Sequence, residues 1–244
     1  MKTLSIINSI LILFFFSYTT TNKNTPCNSE NERLEKDPSI LGMDISHFQN
    51  DIDWDDIKED GVNFVYIKAS EGAHFKDPKF KKNHAAAINN CIYRGAYHFY
   101  ETGTNPEQQA QNFIAAVDKL VSGDLPPVLD LEQGGIKTSV TKETYQKNTL
   151  KWLTIVEEKL GVIPIIYCDP SFGDAYLNHP DFAKYKLWVA EYTKKSPKVP
   201  ETWKNKGWTF WQRTDSEKIE GIKGSVDYDI FQGKTDEFRK LLKK

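Results

Sequence analysis

Asp130 and Glu132 lie two positions apart in Pro126-Pro127-Val128-Leu129-Asp130-Leu131-Glu132, an apolar stretch that reads as a buried strand. Side chains alternate faces along a strand, so Val128, Asp130 and Glu132 point one way while Leu129 and Leu131 point the other. Two acids then share one cavity. Burying carboxylates is unfavourable by several kcal/mol unless they are paired or neutralised. Glycosidic-bond cleavage is a chemistry that uses such a pair, one acid protonating the leaving oxygen while another group assists attack on the sugar. The plainer alternative is that one of the two caps a helix or meets a lysine at the strand end.

Elements able to position these acids follow from residue 40 onward, where apolar strands alternate with amphipathic helices. The strand candidates are 42–46, 63–69, 95–100, 127–132, 164–168, 187–192, 209–213 and 225–231. Asn105-Pro106 opens a helix in which Ala110, Phe113, Ile114, Val117 and Leu120 share one face. Thr141 caps a second, with Tyr145, Leu150, Leu153, Val156 and Leu160 recurring until Gly161 stops it. Nearly continuous apolar strands separated by helices argue for a parallel sheet buried on both faces, and eight of them suggest closure into a barrel. Past residue 180 the helical signal fades, so helices should follow the early strands and loops the late ones. The closing segment, 235–244, reads as a short helix with Phe238, Leu241 and Leu242 inward.

The chain has 244 residues, 39% of them hydrophobic, enough for one sizeable core. Its 32 basic and 34 acidic residues leave a net charge of -2, which offers no electrostatic case for nucleic acid or an anionic membrane. Lys2, the apolar run from Leu4 to Phe16 and the small polar residues after it have the layout of a secretory signal peptide. The expected organisation is a signal peptide at 1–20, a flexible linker at 21–39 and a catalytic barrel at 40–244. An uncleaved membrane anchor is the rival reading of the first segment. Cys27, Cys91 and Cys168 allow at most one disulfide and leave one thiol over. No cysteine or histidine spacing suits a metal, and neither metal nor cofactor is expected.

Further along, Asp44-Ile45-Ser46-His47-Phe48-Gln49, Ile52-Asp53-Trp54 and the run from Phe64 to Gly72 resemble the opening signature of glycoside hydrolase family 25, the Chalaropsis-type muramidases. Gly95-Ala96-Tyr97-His98-Phe99, Leu129-Asp130-Leu131-Glu132, Leu187-Trp188-Val189-Ala190, Trp211-Gln212 and Gly224-Ser225-Val226-Asp227 continue the likeness in the family's order. The resemblance implies an α/β fold, a modified TIM-like barrel of eight strands with about five helices, (β/α)5(β)3. It places the family's acids on Asp44, Asp130, Glu132 and Asp227, with Glu132 as general acid. Asp130 would stay ionised and hold the attacking group or the substrate's acetamido arm; Asp44 and Asp227 would position water and tune the proton holder. Glu71, Tyr97, Tyr167 and Trp188 match groove-lining positions. Asn50 departs from the family's usual Gly or Pro, and as the non-glycine residue most tolerant of a left-handed turn it should keep the loop.

The activity implied is hydrolysis of the β-1,4 bond between N-acetylmuramic acid and N-acetylglucosamine. Its partners would be peptidoglycan glycan strands, met by a monomer that is secreted or held in the periplasm or cell envelope, with no nucleic acid and no stable membrane insertion once the leader is removed. A peptidoglycan- or chitin-binding barrel whose catalysis has lapsed is the rival, and retention of all four acids argues against it. A chitinase-like hydrolase would need Asp-x-x-Asp-x-Asp-x-Glu, of which Leu125 to Glu132 supplies only the last part.

Overall fold

The structure is a computed structural model that describes residues 39–244. The expected leader, the linker up to residue 38 and Cys27 lie outside the described residues. In chain order the strands are β1 (Ile40–Ile45), β2 (Phe64–Glu71), β3 (Phe75–Lys76), β4 (Tyr93–Phe99), β5 (Val128–Asp130), β6 (Ile165–Cys168), β7 (Lys186–Ala190), β8 (Phe210–Glu217) and β9 (Val226–Phe231). The helices are α1 (Trp54–Glu59), α2 (Phe80–Asn89), α3 (Pro106–Val117), α4 (Lys142–Leu160), α5 (Pro170–Tyr176) and α6 (Thr235–Arg239). Strand order β1-β9-β8-β7-β6-β5-β4-β2, closed by a β1–β2 pairing, makes an eight-stranded barrel; β3 is a short extra strand on β2.

The barrel is mixed. Pairings from β1 through β8 around the ring are parallel, whereas β9 runs antiparallel to both β8 and β1. The sequence-based expectation of a parallel sheet is corrected at this strand. Its cause is the short β8–β9 connection, residues 218–225, which is below the length of a parallel crossover and can only make a hairpin.

Local signals explain the two long helices. Asn105 accepts the Glu107 and Gln108 amides ahead of Pro106, and Thr141 accepts the Thr144 amide. Gly161, at φ 67°, takes the left-handed conformation that ends α4. Leu120 falls outside α3, which stops at Val117 because Asp118 turns to φ 68°. After β7 only single 3-10 turns and loops connect the strands until α6. No helix among the described residues is long and apolar enough to cross a membrane.

The core has two parts. Outward strand residues such as Val65, Ile67, Leu129, Ile166 and Val189 pack under the helices with Phe113, Trp152 and Val156. Inward residues fill the lumen with aromatic rings: Phe64, Tyr66, Trp188, Phe210 and Phe231, closed from below by Phe238 of α6 with Leu241 and Leu242 beside it. Two glycines make room for them. A Cβ on Gly42 would lie 2.4 Å from the Phe64 ring, and one on Gly95 would lie 2.1 Å from Tyr66. Cys168 is a buried free thiol.

Candidate active site

Moving up each strand, the inward positions change from aromatic, glycine or valine to residues with polar groups at one end of the barrel. Asp44 follows Gly42 on β1, Lys68 follows Tyr66 on β2, Tyr97 follows Gly95 on β4, Asp130 follows Val128 on β5 and Gln212 follows Phe210 on β8. These ends bound a groove of about 260 Å3 lined by Asp44, Lys68, Tyr97, Asp130, Glu132, Tyr167, Trp188, Gln212 and Asp227, with Phe48 and Tyr192 at its edge. Parallel strands contribute their carboxyl ends. Asp227 arrives differently, from the amino end of antiparallel β9, where it faces Asp44 in direct register.

Asp130 is the last residue of β5, and the backbone stays extended through Glu132, at φ -133° and ψ 161°. Leu131 is therefore buried on the opposite side while the two acids remain on one face. Their carboxyl groups lie within hydrogen-bonding reach of each other. Burial first, then the Glu132 charge, pushes the Asp130 carboxyl well above the usual range. Glu132, half-buried at the mouth, is also raised, chiefly by burial. Lys68 is the nearby cation that pulls both back down, and its Nζ donates to Glu71 Oε2 at 2.5 Å. The contact itself raises Asp130 and lowers Glu132, so burial is what keeps Glu132 above its ordinary value, in the direction an acid catalyst needs.

A second acidic group sits across the groove. Asp44 is buried and raised well above its ordinary value by desolvation, then by Asp227 and Asp229. Gln212 Nε2 donates to Asp44 Oδ2 at 2.7 Å, and Gln212 Oε1 accepts from both Tyr167 and Tyr192 hydroxyls, at 2.8 and 3.0 Å. Asp227 is pushed up to about 6, mainly by burial and then by Asp215. Asp229 is wholly buried; Trp188 Nε1 donates to its Oδ1 at 2.9 Å, while Oδ2 has no N–H or hydroxyl partner. Burial first and then the Asp227 charge raise Asp229 well above its ordinary value, and Trp188 and the neighbouring Asp44 carboxyl pull it part of the way back.

All four acids selected from the sequence meet at this groove. Tyr97, Tyr167 and Trp188 line it too, the last two as buried floor residues shared with the lumen core. Glu71 is not among the lining residues and reaches the groove through Lys68. His98 points away, as the strand parity indicated: it is buried between Ser70 Oγ and Gln109 Oε1, and burial pushes its imidazole down to about 3. Glu191 accepts the Lys198 amide and so ties down a loop. Asp53 caps α1 through the Asp55 and Asp56 amides, so its acidic neighbourhood is a helix start.

Residues of the site not selected from the sequence include Asp229, buried beside Asp44, and Gln212, Lys68 and Tyr192, which line the groove. The signal for the first was present, since Asp229 lies two positions beyond Asp227 on a strand and must share its face. Parity gives the same signal for Lys68, four positions inward-facing from Phe64. Tyr192 lies past the end of β7, where alternation no longer applies.

A closed barrel with a few helices and a carboxylate-lined groove at one mouth defines a glycoside-hydrolase architecture. The family model described as Glycosyl hydrolases family 25 matches residues 43–222, and the chain belongs to that family. It is 34% identical over 214 residues to the uncharacterized protein YegX of Escherichia coli K12, spanning 85% of this chain and 75% of that one. It is 30% identical over 206 residues to Lysozyme M1 of Streptomyces globisporus, spanning 80% and 68%. The bacterial lysozyme structure from Streptomyces coelicolor superposes with a TM-score of 0.78 at 30% identity, covering 83% of this chain and 96% of that one.

Proposed function

We propose that this protein is an N-acetylmuramidase that hydrolyses the β-1,4 bond between N-acetylmuramic acid and N-acetylglucosamine in peptidoglycan. The observation that carries the reading is the pairing of Asp130 and Glu132 on one face of an open groove, both carboxyls raised by burial. Glu132, the more accessible of the pair, acts as the acid and gives a proton to the glycosidic oxygen as the bond to the leaving sugar breaks. Asp130, left ionised, orients the attacking group, whether water or the acetamido oxygen of the substrate itself. Asp44 and Asp227 face the other side of the groove, where they hold water and set the proton balance. A monomer acting outside the cytoplasm on cell walls fits this chemistry, and the apolar leader supplies the route.

Mass spectrometry of the products from purified cell wall tests the assignment. Fragments with N-acetylmuramic acid at the reducing end are expected. Fragments ending in N-acetylglucosamine, or no fragments, would overturn it.

A further inference from the structure

Beside the acids, the mouth carries an aromatic strip that folding does not require. Among the described residues the exposed large apolar side chains include Phe48, Phe75 and Tyr192, at 73%, 40% and 56% exposure. Ile88 and Ile163 complete that set and line clefts elsewhere. Leaving a phenylalanine in water forfeits the stabilisation that burying it would give, so a fold that holds one out in a fixed position calls for a reason.

Phe48 is held out firmly. It sits in the 3-10 turn His47–Gln49, where Ser46 Oγ accepts the Phe48 amide at 3.2 Å and Gln49 Oε1 accepts the Ser46 amide at 2.8 Å. Asn50 ends the turn at φ 56°, the left-handed geometry its side chain tolerates. His47 is fixed twice to one oxygen: its backbone amide and its Nδ1 both lie on Asp77 Oδ2, at 2.9 and 2.8 Å, and the Asp77 side chain is fully buried. The His47 ring lies 4.1 Å from Phe48 and 5.6 Å from Phe75, centre to centre. Three rings from the β1–α1 loop and the β2–β3 hairpin thus form one surface, and Phe48 also lines the groove that holds Asp44.

We propose that Phe48, His47 and Phe75 form a stacking platform for a pyranose ring of the glycan strand, an outer subsite beyond the sugars at the carboxylates. The inference rests on the reading of the groove as a glycan site and adds where the strand continues. Pyranose rings present an apolar C–H face, and an aromatic side chain already fixed by its turn loses little freedom in covering it. Phe48 joins the strip to the groove, so a β-1,4-linked polymer that leaves the carboxylates on the β1 side meets it first. Tyr192 stands apart from this strip, tied to Gln212.

The experiment is calorimetric titration of the Glu132→Gln protein with peptide-free glycan strands prepared from peptidoglycan and fractionated by length. Adding Phe48→Ala and Phe75→Ala together should weaken binding of long strands roughly tenfold, and each alone about threefold. The shortest strands, which end before the platform, should bind unchanged. Long strands that bind the double variant as tightly as the parent would overturn the platform while leaving the muramidase reading in place. A platform that served the peptide stems instead would give that same negative result, because the strands carry none. A parent that binds no strand of any length would overturn both readings.

Discussion

Asp44 on β1 and Asp227 on β9 are direct cross-strand partners, two carboxylates opposite each other on the inward face of an antiparallel ladder. Like charges so placed repel, which helps to raise Asp44, while burial first and then the Asp215 charge push the Asp227 carboxyl from 3.8 to about 6, its hydrogen bond with Asp44 offsetting part of the rise. A raised carboxyl binds its proton more tightly in the folded chain than in the unfolded one. The stability it contributes is therefore complete below 3.8 and is lost as pH rises through 6. Near neutral pH, Asp227 weakens the fold. Asp227→Asn should raise the unfolding free energy there by about 1–2 kcal/mol, or roughly 3–6 °C in Tm, with no gain near pH 3. Thermal melts at the two pH values check it. His98 acts in the opposite sense, since its depressed pKa removes stability as pH falls below 6.5 towards 3, but both proteins carry it and the difference cancels.

Asp229 should govern how that pair titrates. Its Oδ1 is held by Trp188, its Oδ2 has no N–H or hydroxyl partner, and its charge helps to raise Asp44. Asp229→Asn keeps the oxygen that Trp188 needs and places an uncharged N–H donor where the second carboxyl oxygen lies. With the Asp229 charge gone, Asp44, whose carboxyl that charge helps to raise, should ionise at lower pH. The acid limb of the pH–rate profile is expected to move down by about 0.5–1 unit, with the fold retained. A profile identical to the parent's would show that Asp229 only anchors Trp188.

Much of this arrangement was legible in the chain. The acids of β5 could be read because Leu129 and Leu131 alternate with them, and α4 because Thr141 and Gly161 mark both ends. Other parts carried no local signal. Lys79 at the start of α2 makes no side-chain cap, so nothing announces that helix. The reversal of β9 depends on how long the preceding connection is, not on any residue within the strand. Gln212 joins Asp44 across 168 positions, a relation that becomes visible only once the ring of strands has closed.

Gln212 is a polar hinge whose donor and acceptor ends are both committed. Its amide nitrogen serves Asp44, and its oxygen serves Tyr167 and Tyr192. Gln212→Glu preserves size and the acceptor but replaces the donor with another oxygen facing a carboxylate. The two tyrosine bonds survive; the Asp44 bond becomes a repulsion. Stability should fall by about 2–4 kcal/mol near neutral pH and recover as the medium is acidified and a proton re-enters the pair. Denaturant unfolding as a function of pH reads this directly, and a loss independent of pH would mean that packing, not charge, makes the difference.

Glu132→Gln separates the chemistry from the scaffold. The substitution keeps the side chain's shape at a half-exposed position, so the unfolding midpoint should stay within about 1 kcal/mol of the parent. What it removes is the proton that the pair can deliver, and general acid catalysis is worth about 10²–10⁴ in rate. Clearing of cell-wall suspensions should fall by at least that factor, while binding of glycan strands persists. The variant also lifts the Glu132 charge that helps hold Asp130 above its usual range, so Asp130 should ionise at lower pH than in the parent. A protein that still clears walls at full rate would transfer the acid's role to Asp130, its only contact in the pair, and Asp130→Asn would then have to abolish the activity.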